Sequence, residues 1–303
     1  MTLHWQDTFP AEAKETVPCP LCGAADYRTL VTEWSLGVVK CQHCGLIYTN
    51  PRLKESHKNY WYDDDAADAE ARFLDKYGAV FRGERPHDRD PHYQAHLAEI
   101  ARVKPSGAFL DVGAHCGFLM RLGTDRWDMV GVEPSPLFAR FAQEYFGLDV
   151  RAGLLEEVDL PPRHFDVVAM TDVLEHVGDP GPLLEQVRAV LKPDGLLYIK
   201  VPHGDWNRVK QAVLVGLLRS QRFDIWDSRE HVVFYTQKTL RAMLEKHGYR
   251  VRRIGIAQPI NAGGGVHPLR QTAWALSMGM YRATGGWVSP FAASLIAEAH
   301  PSL

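Results

Sequence analysis

A glycine turn follows directly after a short apolar run and sets narrow limits on the fold of this chain. The run Ala108–Val112 leads into Gly113, and a second glycine, Gly117, follows four residues later. Glycine lets the backbone turn tightly and lets a ligand approach the main chain closely. The pattern predicts a buried strand, a tight turn and the start of a helix, with a ligand site at the turn.

Further short apolar runs alternate with helical patterns beyond this turn. Each run is apolar or β-branched and is bounded by Gly, Pro or Asp, as expected of buried strands. The predicted strands are Ala108–Val112, Met129–Glu133, Asp149–Arg151, Phe165–Met170 and Leu196–Val201. The predicted helices between them are Phe118–Arg126, Pro136–Phe146 and Gly181–Leu191. The alternation predicts an α/β fold: a Rossmann-like, doubly wound, mostly parallel sheet with helices on both faces and a ligand beyond the carboxyl ends of its strands.

The alternation loosens after residue 201. We expect an amphipathic helix over 204–221, a short strand over 232–235, a helix over 237–247 and a strand over 249–257. Residues 268–299 are apolar and are predicted to be helical, with an interruption at Gly285 and Gly286. Their basic content is too low for a helix on a membrane surface, so a homodimer contact or a flap over the substrate is expected.

A second acidic residue, Glu133, ends the next predicted strand and lies 22 residues after Asp111. An acid at this place can accept two hydrogen bonds from ribose hydroxyls. The loop is neither GxGxxG nor a P-loop, because no Lys-Ser/Thr pair follows to hold phosphates. Two carboxylates beside a glycine turn suit a ligand with a ribose, an amino group and a positive centre, and S-adenosylmethionine is such a ligand.

Four of the five cysteines lie in two CxxC pairs near the N-terminus. Cys19 and Cys22 form the first pair, and 18 residues separate it from Cys41 and Cys44. This spacing predicts four thiolates around one tetrahedral zinc ion, which is structural because all four positions are filled. Two disulfides are the alternative, and an intracellular location disfavours them.

The composition argues against some classes of protein. The 303 residues include 34 Lys and Arg against 37 Asp and Glu, a formal charge of −3, and 46% of the residues are hydrophobic. This balance disfavours a nucleic-acid partner, which needs a basic stripe. The sequence has no secretory signal and no long apolar run, so we expect a cytoplasmic protein without a membrane span.

Several motifs, taken in order, resemble the class I S-adenosylmethionine-dependent methyltransferases over residues 108–257. They are Asp111-x-Gly113-x-x-x-Gly117, Gly131-Val132-Glu133-Pro134-Ser135, Phe165-Asp166-Val167-Val168, Asp172-Val173-Leu174-Glu175-His176-Val177 and Leu191-Lys192-Pro193-Asp194-Gly195. The resemblance implies that Asp111 and the loop backbone hold the methionyl part of the cofactor and that Glu133 holds its ribose. The residues expected to line the cofactor site are Asp111, Gly113, His115, Gly117, Phe118, Glu133, Pro134, Gly153, Leu154, Thr171 and Asp172.

One loop position departs from the family pattern. His115 stands where the family usually has a third glycine. Its side chain must point either away from the cofactor or towards the substrate. We expect the first orientation.

A histidine is the candidate base. Proton removal from the acceptor needs a group that titrates near neutrality. His176 follows the fourth predicted strand, and similar methyltransferases, including sugar C-methyltransferases with an N-terminal zinc module, use a histidine at this position as base. A histidine that caps the helix or packs the loop is the alternative. His203, His231 and Tyr235 are further candidates for catalysis or substrate contact.

The segment Cys44–Arg52 resembles one that follows the zinc module in methyltransferases from carbohydrate and natural-product gene clusters. The resemblance implies a small acceptor, sugar-like or a secondary metabolite, that is methylated on oxygen or carbon. Tyr60, Trp61 and Tyr62 form an aromatic patch that can stack on a sugar or line a lid. A buried anchor for the linker is the alternative role for this patch.

These features divide the chain into four parts: a zinc-binding module over 1–52, a helical linker or lid over 53–104, a methyltransferase domain over 105–260 and a helical tail over 261–303. Two rival functions stay open. The first is a zinc-finger RNA methyltransferase, which the net charge of −3 disfavours. The second is a non-catalytic zinc-ribbon interaction protein with a degenerate methyltransferase domain, which the retained Asp111, Gly113, Gly117 and Glu133 disfavour.

Overall fold

The structure is a computed structural model that describes residues 9–57, 66–217, 225–257, 268–285, 289 and 292–302. Its strands are β1 (Lys14–Glu15), β2 (Tyr27–Glu33), β3 (Leu36–Cys41), β4 (Ile47–Thr49), β5 (Arg52–Leu53), β6 (Gly107–Val112), β7 (Trp127–Glu133), β8 (Asp149–Ala152), β9 (Phe165–Thr171), β10 (Leu191–Pro202), β11 (Val233–Phe234), β12 (Tyr249–Ile256) and β13 (Ser294–Pro301). Its α-helices are α1 (Ala66–Phe81), α2 (Asp90–Ala101), α3 (Pro136–Phe146), α4 (Pro180–Val190), α5 (Gly204–Gln211), α6 (Gln237–Lys246) and α7 (Pro268–Ala283). The aromatic patch at 60–62 lies outside the described residues.

Seven strands form the central sheet in the order β12-β13-β10-β9-β6-β7-β8. The pairing is parallel from β10 to β8, and β13 runs antiparallel to both of its neighbours. The chain runs outwards from β6 to β8 and then returns to the other side of β6, so the winding direction reverses beside this strand. Ligands of such sheets bind at the carboxyl edge where the direction reverses. The predicted Rossmann-like, mostly parallel sheet is therefore confirmed.

Both faces of this sheet are covered by helices. In β9, alternate side chains point to opposite faces. Val168 and Met170 face a core that includes residues of α4 and α6. Val167 and Ala169 face a second core, which includes residues of α2. Successive strand residues point to opposite faces, so a strand covered on both sides reads as a continuous apolar run.

Helix α2 belongs to the layer that covers the sheet. Leu97 and Ile100 pack with Phe109 of β6 and Trp127 of β7 in the second core. The predicted boundary at residue 104 therefore differs from the structure, because α2 is a part of the α/β domain and not of a linker. Helix α1 precedes it and lies against the glycine loop.

The predicted helical tail over 261–303 is only partly correct. Helix α7 fits it, but Ser294–Pro301 is strand β13, inserted between β10 and β12. Leu295, Ala297 and Ala299 are fully buried in the sheet. An apolar run that is buried on both faces cannot be distinguished from a buried helix by periodicity, and alanine favours the helical interpretation.

Two predicted helices are shorter in the structure. The segment 118–126 forms only one 3-10 turn, Met120–Leu122, and a Cβ at the following Gly123 would lie 2.8 Å from Sδ of Met129. The helix predicted over 204–221 is α5 followed by a π-helical turn over 212–217, and residues 218–224 lie outside the described part. No helix within the described ranges combines the length and the apolar character needed to cross a membrane.

The N-terminal cysteine module is joined to the α/β domain by a shared sheet. Strands β2, β3 and β4 pair antiparallel, and β11 from the second half of the chain extends this sheet beside β4. Val233 is paired with Tyr48, and Phe234 with Ile47. The module is thus continuous with the segment that carries His231.

Candidate active site

The glycine loop after β6 lies close to β7 and to the loop after β9. Gly113 has φ +76°, and its N–H donates to the carbonyl of Val132 at 2.8 Å. A Cβ at Gly113 would lie 2.5 Å from Cγ2 of Val173, so a side chain has no room there. Gly117 has φ +72°, and a Cβ there would lie 2.4 Å from Cδ1 of Leu148. Both glycines are therefore required by the turn, as predicted.

Asp111 lies at the carboxyl end of β6 and is 2% exposed. Its Oδ1 receives no hydrogen bond from the described residues. Burial, together with the nearby Glu133, raises the pKa of Asp111 to about 8. Buried carboxylate oxygens are normally hydrogen-bonded, because leaving one unsatisfied is costly. Oδ1 of Asp111 is therefore available to a donor group of a ligand.

Glu133 ends the adjacent parallel strand. Its Oε2 accepts the backbone N–H of His115 at 2.8 Å, and its Oε1 accepts that of Ser135 at 2.9 Å. Burial raises the pKa of Glu133, and the two N–H donors act in the opposite direction. Each carboxylate oxygen can accept more than one hydrogen bond, so ribose hydroxyls can still bind. The structure brings Asp111 and Glu133 to one edge of the sheet.

His115 occupies a left-handed backbone position, with φ +51°. The centroid of its ring lies 4.2 Å from that of Phe138 in α3 and 5.4 Å from that of Phe73 in α1. Burial lowers the pKa of His115 to about 4, so the ring is neutral at pH 7. Phe118 is buried in the same aromatic cluster, 4.1 Å from the ring of His87. Both side chains pack α1 and the loop together, which favours the expected orientation of His115 away from the cofactor.

Four further predicted cofactor residues follow the carboxyl ends of neighbouring strands. Pro134 follows β7, Gly153 and Leu154 follow β8, and Thr171 ends β9. The N–H of Gly153 donates to the carbonyl of Glu133 at 2.9 Å, which ties the loop after β8 to the end of β7. Leu154 is 45% exposed, so it offers an accessible apolar surface beside this edge.

Asp172 lies directly beyond β9 and has two cationic neighbours. Burial alone would raise its pKa, but the ammonium of Lys200 and the guanidinium of Arg89 lower it below the ordinary value. Lys200 is hydrogen-bonded to Asp172, and Arg89 is hydrogen-bonded to Tyr93. Arg89, Tyr93 and Lys200 were not predicted from the sequence as site residues. Only the polar character of the segment before α2 pointed to Arg89, since no spacing relates it to the glycine loop.

His176 and His231 are neighbours, with ring centroids 4.8 Å apart. Nδ1 of His176 donates to the backbone carbonyl of Glu230 at 3.1 Å. Burial, and then the nearby His231, lower the pKa of His176 to about 4. Glu175 joins the pair, and one ligand atom of each residue lies within 4.8 Å of those of the other two. We call Glu175, His176 and His231 the Glu-His-His cluster; its glutamate was not among the site residues predicted from the sequence.

The two other candidates have different surroundings. Tyr235 is fully buried, its hydroxyl has no hydrogen-bond partner among the described residues, and burial and then Glu175 raise its pKa. His203 is 1% exposed and does not belong to the Glu-His-His cluster. Its Nδ1 donates to the carbonyl of Ala292 at 3.1 Å, and its Nε2 lies 3.6 Å from Oδ2 of Asp205. His203 therefore connects the end of β10 to the segment before β13.

The four cysteines of the two CxxC pairs converge on one point. Their Sγ atoms all lie within 4.8 Å of one another, and the distances Cys19–Cys44 and Cys22–Cys41 are each 3.5 Å. The structure pairs none of the four in a disulfide, which favours a shared metal ion over the alternative of two disulfides. Burial opposes ionisation of Cys41, but backbone N–H groups beside its sulfur lower its pKa to about 7. The arrangement matches the four-sulfur sites that bind tetrahedral metals.

A family model described as a methyltransferase domain matches residues 86–254, more than half of the 303 residues. The chain belongs to the class I S-adenosylmethionine-dependent methyltransferase family. The matched range contains the glycine loop, both carboxylates at its side and the Glu-His-His cluster.

Curated relatives are named ubiquinone biosynthesis O-methyltransferases. The one from Bradyrhizobium diazoefficiens is 32% identical over 114 residues, which cover 35% of this chain and 44% of the relative. The one from Nitrobacter winogradskyi is 27% identical over 183 residues, which cover 56% of this chain and 64% of the relative. The chain thus spans less than two thirds of the length of these relatives.

A solved structure, a chain of the complex between the Haloferax volcanii Trm112 methyltransferase activator and a methyltransferase, has a TM-score of 0.51 to this chain. It is 14% identical, and the match covers 82% of this chain and 98% of that one. The likeness supports the fold alone.

Proposed function

We propose that this protein transfers a methyl group from S-adenosylmethionine to an oxygen or carbon of a small acceptor, sugar-like or a secondary metabolite. The observation that carries the proposal is the buried Asp111, whose Oδ1 has no partner among the described residues, beside Glu133 at the carboxyl edge of the sheet. This pair suits a ligand that carries both an ammonium group and ribose hydroxyls. When bound, S-adenosylmethionine supplies a methyl group on a positively charged sulfur.

Each part of the cofactor has a proposed partner in the chain. Asp111 binds the amino group and Glu133 accepts hydrogen bonds from the ribose hydroxyls. Arg89 interacts with Asp172, and we assign it to the cofactor carboxylate. Gly153 and Leu154 contact the adenine. A guanidinium suits a carboxylate because its donors match both oxygens.

The Glu-His-His cluster is the proposed acceptor side. His176 is neutral at pH 7, so its imidazole can accept the proton that the acceptor loses. The chain also holds the acceptor near the reacting methyl group, and such positioning lowers the barrier by itself. The names of the curated relatives support oxygen as the methylated atom.

We also propose that Cys19, Cys22, Cys41 and Cys44 bind one structural zinc ion. Four sulfurs around one point suit zinc, and with four protein ligands no position is open for catalysis. Elemental analysis of the purified full chain should give one zinc per chain. A chain without stoichiometric zinc would contradict this assignment.

Two experiments test the methyl transfer itself. Mass spectrometry of a metabolite pool incubated with the protein and S-adenosylmethionine should reveal a compound that gains a methyl group. With that acceptor, His176→Ala should lower turnover by at least about 100-fold at unchanged cofactor affinity. The exposed His164, replaced by alanine, is the matched control. Unchanged turnover in His176→Ala would remove His176 from catalysis.

A further inference from the structure

Glu175, the acid of the Glu-His-His cluster, is buried without a hydrogen-bond donor from the described residues. Glu175 is 1% exposed, and neither of its carboxylate oxygens receives a hydrogen bond from the described residues. Lys200 is hydrogen-bonded to Asp172. Both oxygens of Glu175 are thus left without a donor from the described residues, and a buried carboxylate in this state suits a cation.

His176 is held as metal-binding histidines usually are. Nδ1 of His176 faces the carbonyl of Glu230 and therefore carries the hydrogen, which leaves Nε2 with a lone pair. Metal-bound histidines commonly donate their other N–H to a carbonyl in this way. The backbone of His231 is fixed from both sides, because its N–H donates to Asp227 and its carbonyl accepts from the hydroxyl of Thr49.

We propose that Glu175, His176 and His231 bind one divalent cation, in addition to the ion of the cysteine module. One carboxylate and two imidazoles form a mixed oxygen and nitrogen site, which suits first-row cations such as manganese or iron(II). Three protein ligands leave coordination positions open. A hydroxyl of the acceptor is the group that fits such a position.

This inference rests on the proposed methyl transfer for its role in catalysis, and it makes the acceptor class a hydroxyl compound. A bound cation lowers the pKa of a coordinated hydroxyl and fixes its orientation. The hydroxyl proton then passes to solvent, the oxygen–carbon bond to the methyl group forms, and the carbon–sulfur bond breaks with its electron pair on sulfur. With the cation bound, Nε2 of His176 is a ligand, so this inference replaces the base role proposed above for His176, and the manganese measurement decides between the two roles.

Manganese(II) is the probe for this site, because thiolate clusters select zinc while manganese prefers oxygen and nitrogen ligands. Electron paramagnetic resonance on the zinc-loaded full chain should detect one bound manganese ion per chain. Glu175→Gln and His231→Asn should each weaken this binding at least about tenfold. The exposed Glu144 and His164, replaced by Gln and Asn, serve as matched controls and should stay within about twofold.

Thermal unfolding and S-adenosylmethionine affinity establish that the variants fold. Glu175→Gln keeps the shape of the side chain, so it should melt within a few degrees of the wild type. Absence of manganese binding in the wild type, or equal binding in folded Glu175→Gln, would overturn the cation site. Normal manganese binding without cofactor binding would instead overturn the proposed function and leave the cation site standing.

Discussion

The cofactor half and the acceptor half of the proposed site are built in different ways. In the cofactor half, Asp111 and Glu133 end adjacent parallel strands and lie only 22 residues apart in sequence. In the acceptor half, Glu175 and His176 meet His231, which reaches them from a distant part of the chain. The first half is a local property of one βαβ unit, and the second depends on how remote segments pack.

The cysteine module is the element that holds His231 in place. The N–H of Thr49 in β4 donates to the carbonyl of Val232 at 2.9 Å, and the Thr49 hydroxyl donates to the carbonyl of His231 at 3.0 Å. The N–H of Val232 in turn donates to the carbonyl of Glu175 at 2.8 Å. A short path of hydrogen bonds therefore runs from the module to the Glu-His-His cluster. The comparison implies that damage to the module affects the acceptor half before the cofactor half.

The largest expected effect is that of Cys41→Ser. Binding of a structural zinc ion contributes about 10–16 kcal/mol to the folding of such modules, so loss of a ligand should disorder β4. We expect zinc loss and at least about a 100-fold fall in turnover, while the dissociation constant of S-adenosylmethionine changes less than about threefold. The exposed His43 in the same CxxC pair, replaced by alanine, is the control. An equal loss of cofactor affinity would show that the two halves are not separable.

Glu133→Ala should weaken cofactor binding and leave the acceptor half unaffected, the reverse of the effect expected of Cys41→Ser. Each hydrogen bond to a charged group contributes about 1.5–3 kcal/mol, so cofactor affinity should fall at least about tenfold. The KM for the acceptor should stay unchanged. Calorimetric titration measures the affinity, and Glu144→Ala is the control for removal of an acid. Retained affinity in Glu133→Ala would exclude Glu133 as the ribose ligand.

Asp111→Asn should stabilise the cofactor-free chain at alkaline pH. The pKa of Asp111 is raised from 3.8 to about 8, so between these values the folded chain holds a proton that the unfolded chain releases. The free energy of unfolding therefore falls as pH rises through this window, and the substitution removes that dependence. We expect the Tm to rise by several degrees at pH 8 and to change little at pH 4, since 1 kcal/mol shifts Tm by about 2–4 °C. If the Tm difference between Asp111→Asn and the wild type did not depend on pH, burial would not be the cause of the raised pKa of Asp111.

The smallest expected effect is that of Thr49→Val. The substitution removes the hydroxyl bond to the carbonyl of His231 and keeps the backbone pairing of β4. One such bond contributes a net of about 0.5–1.5 kcal/mol, so kcat/KM for the acceptor should fall about threefold. Thr29→Val, at an exposed position of the same sheet, should leave it unchanged. A fall in cofactor affinity in Thr49→Val would break the proposed division between the halves.

The residues of the cofactor half could be predicted from the sequence, because they lie close together in it. Asp111, Gly113, Gly117 and Glu133 were predicted because turn geometry and strand ends are encoded by neighbouring residues. The cluster of four cysteines was predicted for the same reason, since each CxxC pair needs only one turn. The part of the site that depends on local spacing was therefore accessible before the structure.

The acceptor half was not accessible in this way. Glu175 was not predicted as a site residue, because nothing in the sequence indicates that its carboxylate is buried without a hydrogen-bond donor. His231 was only one of several candidate histidines, because its position depends on the pairing of β4 with β11. Strand β13 was missed for a related reason: the strands beside an apolar run decide whether it forms a strand or a buried helix.

Calorimetric titration of the full chain with S-adenosylmethionine measures directly whether the carboxyl edge of the sheet binds this cofactor. We predict saturable binding at one site per chain, and at least about a tenfold weaker affinity in Asp111→Asn, since the substitution removes the carboxyl that can ionise and pair with the cofactor amino group. Absence of binding to the wild-type chain, or an unaltered affinity in Asp111→Asn, would contradict the account.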